Sequence, residues 1–190
     1  MIANPLLNYL DPEAYLIAEE QSSVKHEYID GQVYAMAGAS DAHVTIAGNF
    51  FVLLRNHLRG SKCRVFISDM KARIEELNIY YYPDVLVTCD ERDRTESTLK
   101  RYPKVIIEVL SSSTEAFDRG DKFLDYQHIE TLEEYVLIGT TRQRVDCFRR
   151  NAEGLWVMQS YSPGQILSLN SLQFETNLEA VYEDVEFSAA

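Results

Sequence analysis

The pattern of apolar and polar positions predicts the helices first. The longest helix is expected over residues 41–58, where apolar side chains recur at helical spacing and Gly60 follows as a stop signal. The Asp-Pro-Glu sequence at 11–13 is typical of a helix start, because it combines a cap, a first-turn proline and a first-turn acid. We therefore expect helices over residues 12–21, 41–58, 115–128 and 177–182.

Strands are predicted where β-branched and aromatic residues are frequent. Asp30-Gly31 is suited to the tight turn of a hairpin. Val85-Leu86-Val87 and Val105-Ile106-Ile107 are continuously apolar, as expected for central strands that are covered on both faces. The polar segment 89–103 is predicted to be a solvated loop. The strands are expected over residues 27–29, 33–36, 64–67, 70–75, 79–88, 104–110, 135–138, 145–149 and 155–161.

This order of elements predicts an α/β fold with a mixed central β-sheet flanked by helices. A chain of 190 residues fits one domain of ordinary size, and no repeat or linker divides it. With 46% hydrophobic and 25% charged residues, the composition is that of a soluble globular protein. We therefore expect a single domain over residues 1–190, with its core over about 10–176.

Composition also predicts where the protein acts. No apolar run approaches the length of about 18 residues that a membrane-spanning helix needs, and residues 1–10 lack the features of a secretion signal. Cys63, Cys89 and Cys147 are odd in number and have no metal-binding spacing, so all three are predicted to be structural, without a disulfide framework. A cytoplasmic protein without a membrane partner is expected.

The formal net charge of −12 is unfavourable for a protein that binds nucleic acid, because its long-range field repels phosphates. A site that holds divalent cations with carboxylates is also acidic before the cation binds, and the cation then reverses the local field. The charge therefore weakens a nuclease hypothesis without excluding it.

Two acids in apolar surroundings are the first candidates for chemistry. Asp84 follows Pro83 within one predicted strand, and Glu108 lies near the end of the next. Burying an ionised carboxylate in such surroundings costs on the order of several kcal/mol of free energy, unless the carboxylate is paired or binds a metal. The alternative interpretation is structural: each acid caps a backbone amide of a loop, or pairs with Arg73 or Lys104.

Lys122 favours the chemical interpretation. It lies on the helix that follows the second acidic strand, and such a helix can direct the ammonium back towards the two carboxylates. Its own structural alternative is an i, i+4 salt bridge with Asp118 on a solvated helix face, worth only about 0.3–0.5 kcal/mol.

Several short motifs, in the same order, resemble the bacterial restriction endonuclease-like family of the PD-(D/E)XK nuclease superfamily. The resemblance covers residues 10–176 approximately and implies the fold of that superfamily, a mixed sheet flanked by helices. It also implies that Asp84 and Glu108 bind a metal and that Lys122 is the catalytic lysine. The motifs are Glu27-Tyr28-Ile29-Asp30-Gly31, Tyr82-Pro83-Asp84-Val85, Glu108-Val109-Leu110-Ser111 with Ser113-Thr114, and Asp118 with Lys122 and Tyr126.

One departure concerns the lysine. In the superfamily's usual pattern it stands two residues after the glutamate, where this chain has Leu110, so Lys122 on the following helix is nominated in its place. The other departures are Ser112, Val136 and Gly139, where relatives commonly carry Pro, Trp and Asp; none of the three removes a proposed ligand.

The expected chemistry is phosphodiester hydrolysis with Mg²⁺, or with Mn²⁺ in its place. Asp84, Glu108 and the carbonyl of Val109 are expected to hold the metal, and Lys122 to orient the attacking water or stabilise the charge of the transition state. Glu27 is a further candidate, as a ligand of a second metal or as a residue that supports the ligands of the first, although a surface acid on the hairpin is an equal alternative.

Weaker candidates have ordinary structural explanations. His43, on the long helix, could face the site but is more often a packed or surface residue. Ser111, Ser112 and Ser113 lack the G-x-S-x-G pattern of a nucleophile and are interpreted as loop and capping groups. The three tyrosines at 80–82 could stack on bases, yet such clusters usually belong to an ordinary strand.

The sequence thus predicts a Mg²⁺-dependent endonuclease that acts on DNA, as a homodimer because two symmetric sites cut two strands most simply. The alternative is a catalytically silent, nuclease-like binding module for nucleic acid or a partner protein. A third alternative is an α/β domain whose acids are purely structural.

Overall fold

The structure, a computed structural model, describes residues 9–187; residues 1–8 and 188–190 lie outside the described residues, and with them most of the segment on which the expectation about a secretion signal depends. No helix in the described part combines the length and the apolar character that crossing a membrane requires. The helices are α1 (Pro12–Gln21), α2 (Asp41–His57), α3 (Glu115–Arg119), α4 (Asp121–Tyr126) and α5 (Leu178–Val181).

The strands, in chain order, follow the predicted positions closely in most of the chain. They are β1 (His26–Ile29), β2 (Gln32–Ala35), β3 (Arg64–Ile67), β4 (Lys71–Ile74), β5 (Ile79–Tyr81), β6 (Val85–Thr88), β7 (Leu99–Lys100), β8 (Pro103–Val109), β9 (Glu134–Ile138), β10 (Val145–Arg150), β11 (Trp156–Tyr161), β12 (Ile166–Leu169) and β13 (Phe174–Asn177).

The central sheet has six strands in the order β11-β10-β9-β8-β6-β3. Strands β8 and β9 are parallel and the remaining neighbours are antiparallel, so this sheet is mixed. Helix α2, α5 and the β12–β13 hairpin cover one face, while α4 and a second sheet cover the other. The predicted class, α/β with a mixed sheet flanked by helices, is confirmed.

A second sheet, in the order β2-β1-β5-β4-β7, corrects one prediction. Residues 79–88 were expected to form a single strand, but β5 belongs to the second sheet and β6 to the central one. The chain leaves one sheet and enters the other at Pro83 and Asp84, where proline has no amide hydrogen to donate to a ladder. This crossing places Asp84 at the junction of the two sheets.

Two further predictions need correction, and one hairpin was missed. The helix expected over 115–128 is divided at Gly120, whose backbone (φ −111°, ψ −107°) is not helical. The segment 89–103 is not a simple solvated loop, because Asp93 is buried and accepts hydrogen bonds from the Thr88 hydroxyl (2.6 Å) and the amide of Arg101 (2.8 Å). The β12–β13 hairpin was not predicted.

The expectation of no disulfide framework also needs correction for one pair of cysteines. Cys63 and Cys89 form a disulfide, and Cys147 is free and buried. The reason is the register of two neighbouring strands: Arg64 pairs with Thr88, so the residues just beyond this pair lie opposite each other. Spacing along the sequence does not reveal such a cross-strand pair.

Candidate active site

Asp84 and Glu108 lie side by side on neighbouring strands. Val85 of β6 pairs with Ile107 of β8 in antiparallel register, which places the next residues, Asp84 and Glu108, opposite each other. The amide of Asp84 donates to Oε2 of Glu108 (3.4 Å), and the amide of Val109 donates to Oδ2 of Asp84 (2.7 Å). The convergence of the two acids that the sequence predicted is therefore present in the fold.

The structural alternative for these acids holds in one respect. Asp84 does accept a hydrogen bond from a backbone amide, that of Val109. Pairing with Arg73 or Lys104 is excluded, since Arg73 lies over the ring of Tyr80 (4.1 Å to the centroid) and Lys104 pairs with Glu133. The acids are thus held in place without neutralisation by those two bases.

Lys122 enters the centre from α4. Its Nζ lies 2.9 Å from Oε1 of Glu108, 3.1 Å from Oε1 of Glu27 and 3.6 Å from Oδ1 of Asp118. The predicted alternative, a salt bridge with Asp118 on a solvated face, is therefore wrong about the solvation. The contact with Asp118 exists, but the Lys122 side chain is only 7% exposed and contacts two further acids. Leu110, at the usual lysine position, is packed in the core as expected.

Glu27 reaches the centre from the second sheet. Strand β1 pairs with β5, and Oε1 of Glu27 accepts a hydrogen bond from the amide of Tyr82, just beyond β5. Because Glu27 is buried and contacts Lys122, the alternative of a surface acid on the hairpin is excluded. The two sheets thus each contribute a carboxylate to the same ammonium.

Burial and charge both shift the titration of the central pair. Burial raises the pKa of Glu108 well above its usual value, and the nearby charges of Asp84 and Asp118 add to this, although Lys122 acts in the opposite direction. For Lys122, burial lowers the pKa, but the charges of Glu108 and Glu27 outweigh it and raise that pKa well above the ordinary value. Lys122 therefore stays charged. An added cation would stabilise the ionised form of Glu108.

Two other side chains contact the acids. The hydroxyl of Tyr126 donates to Oε1 of Glu108 (3.0 Å), and Nε2 of His43 lies 3.2 Å from Oδ2 of Asp84. The sequence did signal Tyr126, as part of a motif. His43 was undervalued because a single histidine in the first turn of a helix has no sequence partner that reveals which strand end it meets.

The other weak candidates have structural roles. The rings of Tyr80, Tyr81 and Tyr82 are buried, so they are not free to stack on bases. Ser111 accepts a hydrogen bond from the amide of Thr114 (3.2 Å), which is a loop role in the turn before α3; the expected capping role is absent, because α3 has no side-chain cap.

Comparison with known proteins agrees with the resemblance that the sequence motifs indicated. The family model described as Uma2, Putative restriction endonuclease, matches residues 12–180 of the chain. The chain belongs to this family. The uncharacterized protein slr1290 of Synechocystis sp. is 41% identical to this Uma2 chain over 178 residues, which is 94% of each chain. The uncharacterized protein sll1609 of the same organism is 36% identical over 146 residues, 76% of this chain and 82% of the relative.

A solved structure resembles the whole fold. The crystal structure of a putative nuclease belonging to DUF820, from Anabaena variabilis, superposes with a TM-score of 0.73 over 88% of this chain and 94% of that one. Since the sequence identity is 15%, this likeness shows the shared fold alone. Uma2 membership and the restriction endonuclease-like fold together support a nuclease.

The donor set of this Uma2 centre fits a hard divalent cation. Such ions prefer carboxylate and carbonyl oxygens, which Asp84, Glu108 and the Val109 carbonyl provide. In the described residues, no three histidine, cysteine or acidic side chains are already arranged to hold a metal. That agrees with the contacts of Glu108, whose Oε1 faces Lys122 and Tyr126. Four carboxylates nevertheless surround one lysine and one histidine, an excess of negative charge that a cation would offset; the acids are Glu27, Asp84, Glu108 and Asp118.

Proposed function

We propose that the chain is a divalent-cation-dependent endonuclease that hydrolyses phosphodiester bonds of DNA. The observation that supports this proposal most strongly is the convergence of Asp84, Glu108 and Lys122 from two strands and a helix of a restriction endonuclease-like fold. Buried carboxylates held together in this way are costly unless a cation compensates them. Their arrangement therefore favours a metal-dependent reaction over a purely structural role.

Asp84, Glu108 and the carbonyl of Val109 are the proposed ligands, for Mg²⁺ or alternatively Mn²⁺. When bound, the cation activates water and offsets the charge that develops on the phosphoryl group. The chain contributes rigid positions: Asp84 is fixed through its Oδ2 by the Val109 amide, and Glu108 through its Oε1 by Tyr126. Rigid ligands reduce the reorganisation that the reaction requires.

Lys122 has two roles in this proposal. In the resting protein its ammonium neutralises part of the charge on Glu108 and Glu27. During hydrolysis it orients the water or stabilises the additional negative charge of the phosphoryl group. Glu27 is a positioning residue, because it holds the ammonium near Glu108 from the second sheet.

The scissile phosphate is expected to approach from the side of Asp84. The side chain of Asp84 is 16% exposed, whereas those of Glu108 and Glu27 are 4% and 8% exposed. Two surface cavities, of about 470 Å³ and 240 Å³, are lined by other residues and include none of these acids.

DNA is the proposed substrate, and the net charge of −12 then makes binding depend on the cation. The same charge is the feature that favours the second candidate, a silent nuclease-like module that binds nucleic acid or a protein. The retained set of Asp84, Glu108 and Lys122 favours the enzyme over that module.

A substrate panel separates the two candidates. Supercoiled plasmid, linear duplex, single-stranded DNA and RNA are incubated with the protein in Mg²⁺, Mn²⁺ or EDTA. The endonuclease proposal predicts internal cleavage of the plasmid with either cation and none with EDTA. A module binds in a mobility-shift assay but cuts no substrate under any condition, and that outcome contradicts the proposal.

A homodimer is proposed as well, since two symmetric centres cut both strands of a duplex. Sedimentation at the concentrations used for cleavage tests it. A dimer should linearise plasmid in one encounter, whereas a monomer at every concentration leaves a nicking enzyme and contradicts this part of the proposal.

A further inference from the structure

His43 occupies a defined place beside the proposed cation site. It lies in the first turn of α2, where the Ser40 side chain caps the helix by accepting from the His43 amide (3.3 Å). The His43 side chain is 16% exposed, and its Nε2 lies 3.2 Å from Oδ2 of Asp84. The first turn of α2 therefore places the imidazole of His43 next to Asp84, one of the two converging acids.

The distance of 3.2 Å between His43 and Asp84 is short enough for a charge-assisted contact. An ionised carboxylate only accepts hydrogen bonds, so an attractive contact requires that Nε2 of His43 carries a hydrogen and donates it. The amide of Val109 donates to the same oxygen at 2.7 Å. Oδ2 of Asp84 thus accepts a hydrogen bond from the Val109 amide and lies within ion-pair distance of His43, while Oδ1 makes no hydrogen bond in the part of the chain that the structure describes.

We propose that His43 is a positioning residue, which together with the Val109 amide holds Oδ2 of Asp84 so that Oδ1 is presented to the divalent cation. This inference rests on the proposed function. A nitrogen that carries hydrogen has no lone pair for a metal, so His43 acts through Asp84 and is not itself a ligand. Partners that orient a metal ligand in this way change metal affinity by about 10–100-fold when removed.

Three single variants test the role through cation binding rather than turnover. His43→Ala removes the donor, and His43→Gln keeps an amide N–H at a similar distance from the helix. His57→Ala is the matched control: His57 lies at the other end of α2 and contacts the carbonyl of Leu172 (3.0 Å), far from the acids in the fold. Circular dichroism establishes that each variant folds before binding is measured.

Calorimetric titration with Mn²⁺ gives the affinities. We expect His43→Ala to weaken Mn²⁺ binding by about 10–100-fold, with His43→Gln and His57→Ala close to the parent protein. Equal affinity of His43→Ala and the parent overturns the inference, and so does a His43→Gln variant as weak as His43→Ala. Electron spin echo spectra of bound Mn²⁺ should lack a directly coordinated nitrogen, and such a nitrogen would show His43 to be a ligand instead.

Failure of the inference and failure of the proposed function give different results. If the parent protein binds no Mn²⁺ at all, the metal-dependent function and the role of His43 towards it both fall. If the parent binds Mn²⁺ and loses binding in Asp84→Asn but not in His43→Ala, only the inference about His43 falls.

Discussion

Nζ of Lys122 lies 2.9 Å from Oε1 of Glu108, although the two residues belong to a helix and a strand that are separated by α3. Leu110, two residues after Glu108, is buried in the apolar core. The ammonium therefore reaches the acidic pair, Asp84 and Glu108, from α4. The position two residues after Glu108 is occupied by a leucine that packs in the core.

The Lys122→Met variant should lose most cleavage while keeping its affinity for Mn²⁺. Loss of a group that stabilises transition-state charge costs about 100–1000-fold in turnover. The variant should also unfold more easily, by about 3–5 kcal/mol, because it leaves buried carboxylates without a partner. Single-turnover cleavage, Mn²⁺ calorimetry and urea unfolding measure the three effects.

Lys100→Met is the matched control for that experiment. Lys100 is also buried, but its ammonium donates to the backbone carbonyls of Asp93 (2.9 Å) and Glu96, away from the acids. It should lose stability with cleavage unchanged in the folded fraction. If Lys122→Met cleaves DNA as fast as Lys100→Met, Lys122 has no part in the chemistry.

Tyr126→Phe should weaken the centre without removing a charge. The hydroxyl donates to Glu108 (3.0 Å) inside the core, and a hydrogen bond to a charged group is worth about 1.5–3 kcal/mol. Tyr182→Phe removes a hydroxyl that donates to the carbonyls of Gly139 (2.9 Å) and Arg144 (2.9 Å) and makes no hydrogen bond to an acid of the centre. Both variants should lower unfolding free energy, but only Tyr126→Phe should lower cleavage; equal cleavage by the two contradicts the role of Tyr126.

Acid should destabilise the protein through Asp146. Burial raises the pKa of Asp146, but hydrogen bonds from Ser160, Arg119 and Arg144 outweigh it and leave that pKa below its ordinary value. A carboxyl whose folded pKa is lowered contributes stability above its unfolded pKa of about 3.9, and that contribution is lost as pH falls through the folded pKa. Asp146→Asn should therefore lower stability at pH 7 and flatten its fall below about pH 4.

Asp90→Asn provides the comparison for Asp146, because Asp90 also has a lowered pKa, about 2, but pairs with the exposed Arg92. Its effect on unfolding at pH 7 should be much smaller, since solvent screens surface pairs. Urea unfolding from pH 3 to 7 measures both, and an Asp146→Asn profile that parallels the parent's contradicts the account.

Reduction of the Cys63–Cys89 disulfide should lower the free energy of unfolding by about 3.5 kcal/mol, for a sequence separation of 26 residues. Cys63→Ser should reproduce this loss and no longer respond to reductant. Titration of the denatured, unreduced protein should find one thiol, that of Cys147. Three titratable thiols would show that the bond does not form.

The sequence predicts most of the fold and the charged centre for understandable reasons. The continuous apolar runs of β6 and β8 identify central strands. Acids beside such runs are candidates for a functional site, because burying an ionised carboxylate costs free energy. The contacts that the sequence does not predict are those set by strand register and by the crossing of the chain between sheets. The division of 79–88 at Pro83, the pairing of Cys63 with Cys89 and the contact of His43 with Asp84 all join residues through strand and helix placement rather than through spacing.

The most direct test of the central claim is the rate of plasmid cleavage in Mn²⁺ by the parent protein, Asp84→Asn and Asp93→Asn. Asp93 is a buried acid that stabilises the segment after β6 and lies outside the proposed centre, so it controls for loss of structure. The account predicts cleavage by the parent and by folded Asp93→Asn, and none above background by Asp84→Asn. Equal cleavage by Asp84→Asn and the parent would contradict the claim that this centre hydrolyses DNA.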